Sequence, residues 1–405
     1  MLASLAWRNI WRQPIRTTLS IFGMAFASML LVFMLSFQFG SYDTMKSSML
    51  KISEGFGQFQ VNGYKDDPEI GKVIADPQSL LTDLSKIGAI SASTSRNTGF
   101  VLLANGERSF AAAIQGVDPV NEPQVSTLST LIKQGRALTP DDTNAIIIGD
   151  GLARNLRLKL GDRVTMLGTG MDGSVAADVL TLVGIFKTGV SEIDRQIAQM
   201  PLARFDEAFL MEGGVNIIAI TGEDFYGIEA LSPKLREIAS KHDLIYLDWG
   251  EIQPAIKSAI ALDMSTALLM YVTLVVVVVF IILNTLYMSV LERTREFGML
   301  LALGMKPSQI GRMVWLEMIF LSFLGSGIGV ALGVGLTAYF QSVGIAFEGM
   351  DEIYAQWGLP SRMYPNMTLV RVLAGPGAIV VSIIILGFIP YRRVLGLEPV
   401  SAMAA

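Results

Sequence analysis

Glu292, Arg293, Arg295 and Glu296 stand three and four residues apart in a chain of which only 17% is charged, and Lys306, Arg312 and Glu317 follow closely. At those spacings opposite charges meet on a helix surface and pair. Phe297, Leu300, Leu301 and Leu303 supply an apolar side. Gly304 and Pro307 then break the helix, and Ser308 is placed to cap the next one. A short bent helix of this kind suits docking against a soluble partner and equally suits a solvated connector. Spacing alone leaves both open.

Pairing is the only chemistry these groups advertise. The single histidine, His242, closes an expected helix between Lys241 and Asp243, a surface position that the helix dipole favours. With no cysteine and one histidine, neither a Ser-His-Asp or Cys-His set nor a His/Cys metal site can be assembled, and nothing marks a carboxylate pair. The glycines of "GSGIGVALGVG" (Gly325 to Gly335) lie inside an apolar run with no strand before them, so they read as close helix packing and not as a dinucleotide loop. No Gly-x-x-x-x-Gly-Lys-Ser/Thr sequence occurs, so the chain is not expected to hold ATP itself. Catalytic, cofactor and metal residues are therefore expected to be absent.

The elements around the charged stretch are membrane helices. Hydrophobic residues make up 51% of the 405, and four stretches lack charge for about the 20 residues that span a bilayer: Thr17 to Tyr42, Met264 to Leu291, Met318 to Phe347 and Val372 to Tyr391. The run "VTLVVVVVFIIL" has strand-like β-branching, but its length and apolar flanks favour a membrane helix. The first stretch is too long for a cleaved signal peptide and reads as an anchor. Arg8, Arg12, Arg16, Arg293, Arg295, Lys306, Arg312, Arg392 and Arg393 all fall on one side, which makes both termini and the charged stretch cytoplasmic. The loop over 341–371, with Glu348, Asp351 and Glu352 against Arg362 and Arg371, lies opposite.

The expected layout is a cytoplasmic amphipathic segment (1–16, with Leu5, Trp7, Trp11 and Ile15 among its arginines), membrane helix 1 (17–42), an external domain (43–263), helix 2 (264–291), the bent segment (292–312), helix 3 (313–340), an external loop (341–371), helix 4 (372–391) and a cytoplasmic tail (392–405). The fold class is an α-helical membrane protein with four transmembrane helices and a large α+β extracytoplasmic domain between the first two. That domain must hold together by its core alone, without disulfides. Its sequence reads as strand (Gly57 to Tyr64), helix (Pro77 to Gly88) and an Asn-Gly hairpin (Gly99 to Val117). Strand, helix and strand recur at Val215 to Thr221, Tyr226 to His242 and Leu244 to Trp249. Packed together these give a split β-α-β sandwich with helices on one face and an inserted β-rich subdomain over about 117–200. The net charge of −5 and the lack of a basic stripe argue against nucleic acid.

"ERTREFGMLLALGMKPSQIGRMVWLE" resembles the cytoplasmic signature of FtsX-like permeases of the MacB type: Glu-Arg, a Glu-aliphatic-Gly core, Leu-x-Ala-Leu-Gly, a polar break and a helix ending in Glu. The resemblance implies that this is the coupling helix that inserts into an ABC ATPase, and it carries to Glu292, Arg293, Glu296, Gly298, Leu301, Ala302, Leu303, Gly304 and Glu317. The ending "PYRRVLGLEPVSAM" resembles the family's tail, and "IQGVDPVNEPQVSTLSTLIKQGR" with "AIIIGDGLARNLRLKLGDRV" is similar to the lipoprotein-releasing LolC/LolE kind. One departure stands out: the connection "GTGMDGSVAAD" is shorter than the protruding hairpin of members that recruit a carrier chaperone.

The family implies a multi-pass protein of the bacterial inner membrane. Two permease subunits, identical or paralogous, work with two ATPase subunits that bind ATP and magnesium, and the second membrane helix acts as a stalk. Partners are then the ATPase, a second permease, a lipoprotein or other hydrophobic substrate, and a periplasmic protein. Met24, Met29, Met34 and Met264 could form an adaptable apolar cavity for acyl chains, although methionine in a membrane helix is commonly plain packing. Asn284 either bonds between helices or touches substrate. Lipoprotein extraction leads; a mechanotransmitter that switches a cell-wall hydrolase and a MacB-like efflux permease are the alternatives. Division-type relatives have a smaller external domain.

Overall fold

The structure, a computed structural model, describes residues 2–350, 354 and 359–396, and the chain divides into two units. The tail beyond 396, and Asp351 and Glu352, lie outside the described residues.

The first unit is helical. Among the described residues, four helices are long and apolar enough to cross a membrane: Pro14–Met49, Pro254–Glu292, Pro307–Val343 and Leu369–Leu386, the last continued by Phe388–Leu395. The first two, and the fourth with its continuation, overrun the charge-free stretches read from sequence at both ends, because a charged side chain does not end a hydrogen-bonded helix; the third starts earlier than its stretch, at Pro307, but stops at Val343, short of Phe347, with Gly344 at φ 74 closing it. The glycine-rich run of the third helix faces the first: a Cβ on Gly325, Gly329 or Gly333 would lie 2.7 Å from Met24, 2.5 Å from Ser28 and 2.8 Å from Val32. These helices approach closely only because those positions carry no side chain. Gly375 of the fourth helix meets Leu31 in the same way, at 2.6 Å.

The short helix Leu2–Ile10 buries Ala6 and Ile10 in this core, and Trp7 sets its edge on Phe320 at 5.8 Å. The amphipathic segment expected over 1–16 is therefore docked on the third helix through its small and aliphatic face. Leu5, Trp7 and Trp11 remain exposed.

The second unit is α+β, with ten strands among the described residues: β1 (Gly57–Gln60), β2 (Ile90–Asn105), β3 (Arg108–Val117), β4 (Ile132–Gly135), β5 (Ala145–Gly149), β6 (Arg163–Thr169), β7 (Val175–Phe186), β8 (Ile197–Pro201), β9 (Ile217–Gly222) and β10 (Ile245–Asp248). One end is an open sheet in the order β10-β1-β9-β2. Its Phe59, Ile218, Ile220 and Tyr246 pack under the helices Pro77–Ser85, Phe225–Ala230 and Ser232–Lys241. Pro233 divides the single helix expected over 226–242 into two.

The other end is a closed barrel. β2 pairs β3, β3 pairs β8, β8 pairs β5, β5 pairs β7, β7 pairs β6, and β6 returns to β2. Alternate residues fill it, among them Val101, Leu103, Ile114, Ile148, Val164, Met166, Leu180 and Met200. Phe205 and Phe209, stacked at 4.1 Å, abut Gly99, Gly116 and Gly168, where a Cβ would lie within 2.5–3.2 Å of a ring or its Cβ.

This corrects the insertion expected over 117–200. The β2–β3 hairpin serves both cores: the start of β2 pairs β9 and its far end pairs β6. The barrel therefore begins within β2 and closes with the helix Leu202–Phe209. The β6–β7 connection is a tight turn, with Gly170 N–H donating to Ser174 O at 2.8 Å.

On the polar face of the open sheet, Arg96 donates to both carboxylate oxygens of Glu122 at 2.8 Å and also to the carbonyl of Ser53. The two side chains are only 3% and 6% exposed. His242, at the C-cap of its helix, meets Asp83 at 3.1 Å, so it is held by a partner and not by the helix dipole alone. Lys86 and His242 together lower the Asp83 pKa. Arg136 chelates Asp142 through two bonds of 2.6 Å and brings its carboxyl down to about 2.

Candidate functional site

The charged stretch folds around one ring. The second membrane helix ends at Glu292, and Arg293 sits at the N-cap of a helix spanning Thr294–Ala302, whose Phe297 and Gly298 are buried. Arg293 lies over the Phe297 ring at 5.1 Å and reaches Glu317 at 3.1 Å and Glu296 at 3.4 Å. Its side chain and that of Glu317 are each 13% exposed, so this pair is the best protected of the group.

The N-terminal segment supplies the remaining partners. Asn9 Nδ2 donates to Glu317 at 2.8 Å, Arg12 grips both oxygens of Glu296 at 3.0 and 3.2 Å, and Arg16 donates to Glu292 at 2.7 Å. These bonds join residues 276 to 308 positions apart. Bidentate guanidinium–carboxylate pairing fixes orientation as well as charge. Each carboxylate of the stretch is thus engaged within the chain.

The helix stops where Gly304 takes φ 95, a conformation open to glycine. The N–H of Leu303 donates to Met299 O at 3.0 Å and that of Met305 to Leu300 O at 3.1 Å. The cap of the next helix is Lys306, with Pro307 at its first position and Gln309 Oε1 accepting the Lys306 N–H at 3.1 Å. Ser308, expected as the cap, is already inside, because proline fits the first helical position, where no donor is needed. Around this turn Met299 and Leu303 are 52% and 84% exposed, beside Arg295, Ala302, Gly304 and Lys306.

Nine residues expected to couple the chain to an ATPase therefore fall into two sets. Glu292, Arg293, Glu296 and Glu317 form the ion-pair web, with Gly298 buried and Leu301 half-buried against the core beside them. Ala302, Leu303 and Gly304 are presented to solvent. Asn9, Arg12 and Arg16 were not expected at the site. Their signal is there, as arginines four residues apart next to a proline, but it is indistinguishable from a flank that sets membrane orientation.

The residues expected to line an acyl cavity are distributed. Met24 is fully buried against the third helix and Met34 is half-buried in the same core. Met29 lines a groove of about 310 Å³ with Phe22, Phe26 and Leu332. Met264 is half-buried and Asn284 is exposed. Among the described residues no group of three or more His, Cys, Asp or Glu could hold a metal.

Residues 17–238 match the MacB-like periplasmic core domain, and residues 268–399 match the FtsX-like permease C-terminal domain. The chain belongs to the FtsX-like permeases of the MacB type. The lipoprotein-releasing system transmembrane protein LolC of Neisseria meningitidis is 24% identical over 82% of this permease and 80% of its own length. An uncharacterized ABC transporter permease of Methanocaldococcus jannaschii is 22% identical over 99% and 97% of the two chains. The pyoverdine export ATP-binding/permease protein PvdT of Pseudomonas fluorescens is 24% identical, over 99% of this permease and 58% of PvdT.

Proposed function

We propose that this permease is the membrane subunit of an ABC transporter of the bacterial inner membrane, with both termini cytoplasmic, and that it extracts lipoproteins or another hydrophobic envelope substrate using ATP hydrolysed by a partner. The observation that carries the coupling half is the exposed turn at Met299 and Leu303, at the end of a helix whose one carboxylate, Glu296, is already paired. A large apolar side chain held in water at the tip of a rigid turn is an anchor for a cleft. The ion pairs behind it hold the turn to the first and third membrane helices, so a push at Leu303 is delivered to the helix bundle.

The similarity to LolC supports the lipoprotein reading. The tight β6–β7 turn speaks against a protruding hook for a carrier chaperone. Efflux is the second reading, supported by the match to PvdT along nearly the whole chain. Regulation of a wall hydrolase has no comparable support.

Purification of the complex from native membranes, with mass spectrometry of what accompanies it, separates these readings. Acylated proteins bound with an ABC ATPase are expected. An adaptor or a hydrolase with no lipid-modified species would overturn the lipoprotein reading.

A further inference from the structure

The helix Thr294–Ala302 and the turn after it carry one stripe of exposed side chains: Arg295, Met299, Leu303 and Lys306. The first three stand four residues apart, one above the next on a helix face, and Lys306 follows across the turn at Gly304. Arg295 lies about 12 Å along the helix from Leu303. The two apolar side chains are thus bracketed by a cation on either side. Among the described residues neither cation enters an ion pair, because Arg293, Arg12 and Arg16 already take Glu317, Glu296 and Glu292. Arg312 is exposed two turns into the third helix, and a Cβ on Gly311 would lie 2.8 Å from the Tyr391 ring, which brings the exposed Arg392 and Arg393 to the same end. We infer that the ATPase surface receiving this turn is acidic, with carboxylates flanking the pocket for Leu303 and meeting Arg295 and Lys306.

This inference rests on the coupling reading above and adds the chemistry of the partner's face. Pairing inside the chain is what makes the face selective. With Glu292 and Glu296 held by Arg16 and Arg12, the stripe offers a partner cations and no unpaired carboxylate, and a basic rim would meet like-charge repulsion. An anionic lipid surface has the right sign but suits the stripe poorly. Phe297, Leu300 and Leu301 are turned to the protein core, so Met299 and Leu303 alone would enter lipid, and membrane binding scales with apolar area. A pocket needs only one well-buried anchor. The division of labour follows: rim charges set the association rate and its salt dependence, and the anchor sets the dissociation rate.

The full-length permease is placed in nanodiscs of phosphatidylcholine, which carry no net charge, and the ABC ATPase that copurifies with it from native membranes is bound at about 50 and about 300 mM KCl. In Arg295→Gln and in Lys306→Gln the association rate is expected to fall about threefold to fivefold at low salt with the dissociation rate unchanged, and the difference from the unaltered chain should close at high salt. Arg8→Gln removes the same charge away from the stripe and should leave both rates as they were. Three results overturn the acidic face while the coupling reading stands: association rates that ignore Arg295 and Lys306, an equal loss in Arg8→Gln, or a loss that appears only when phosphatidylglycerol is added to the discs. Faster dissociation with unchanged association would mark a structural role for the two cations and overturns it too. If no ATPase binds even the unaltered chain, the coupling reading itself fails, and the inference falls with it.

Discussion

Arg96–Glu122 and the web around Glu296 use the same chemistry in opposite settings. The first pair is 3% and 6% exposed and satisfied from several directions; the Arg12–Glu296 pair is 58% and 40% exposed. A buried pair tolerates no partner loss, because the charge left behind stays out of water. An exposed pair can open and close at small cost. The lesson is that the α+β unit uses an ion pair as a fixed pin, holding the Leu50–Glu54 turn through the Ser53 carbonyl, whereas the membrane unit clasps its N-terminal segment to the Glu292–Glu296 stretch with exposed pairs that each contribute little.

The largest effect should come from breaking the pin. Glu122→Ala leaves Arg96 buried and unpaired and is expected to cost about 3–5 kcal/mol in thermal or denaturant unfolding of the full chain. Replacing both, as Arg96→Met with Glu122→Leu, should recover most of that loss. Next comes the exposed turn: Leu303→Asp should weaken ATPase association by about 2 kcal/mol, roughly thirtyfold, without moving the unfolding midpoint.

The clasp should respond less. Arg12→Glu or Glu296→Arg alone is expected to shift stability by about 1 kcal/mol or less, and the combined swap should restore it, a double-mutant cycle that shows direct pairing. If the single reversals cost as much as Glu122→Ala, the distinction between pin and clasp collapses. Smallest is the surface chelate at Asp142. Its folded pKa of about 2 lies below the ordinary 3.8, so its contribution is present above about pH 4 and is lost as pH falls through about 2. With Arg136 half-exposed, Asp142→Asn should cost about 0.5 kcal/mol at neutral pH, a cost that fades as pH falls below about 2, read from unfolding midpoints.

Much of this was legible in the sequence, for identifiable reasons. Charge-free length marks membrane helices because lipid tolerates little else, and the Asn105-Gly106 turn announces its hairpin because few dipeptides adopt that geometry. The barrel was not legible. β8 and the helix Leu202–Phe209 carry weak local signals, and closure between β6 and β2 is a long-range pairing that no local pattern encodes. The site shows the same division. The Glu292–Glu317 stretch stands out by composition, but which of its residues face outward depends on Asn9, Arg12 and Arg16, brought in from 276 to 308 positions away by helix packing that spacing does not report.

The central claim is that the outward turn, and not the carboxylates behind it, meets the ATPase. Because the chain has no cysteine, single Leu303→Cys and Glu292→Cys chains can each be cross-linked within the native complex by a short thiol–amine reagent. The account predicts a strong adduct with the ATPase from Leu303→Cys and little from Glu292→Cys. The reverse pattern would contradict it.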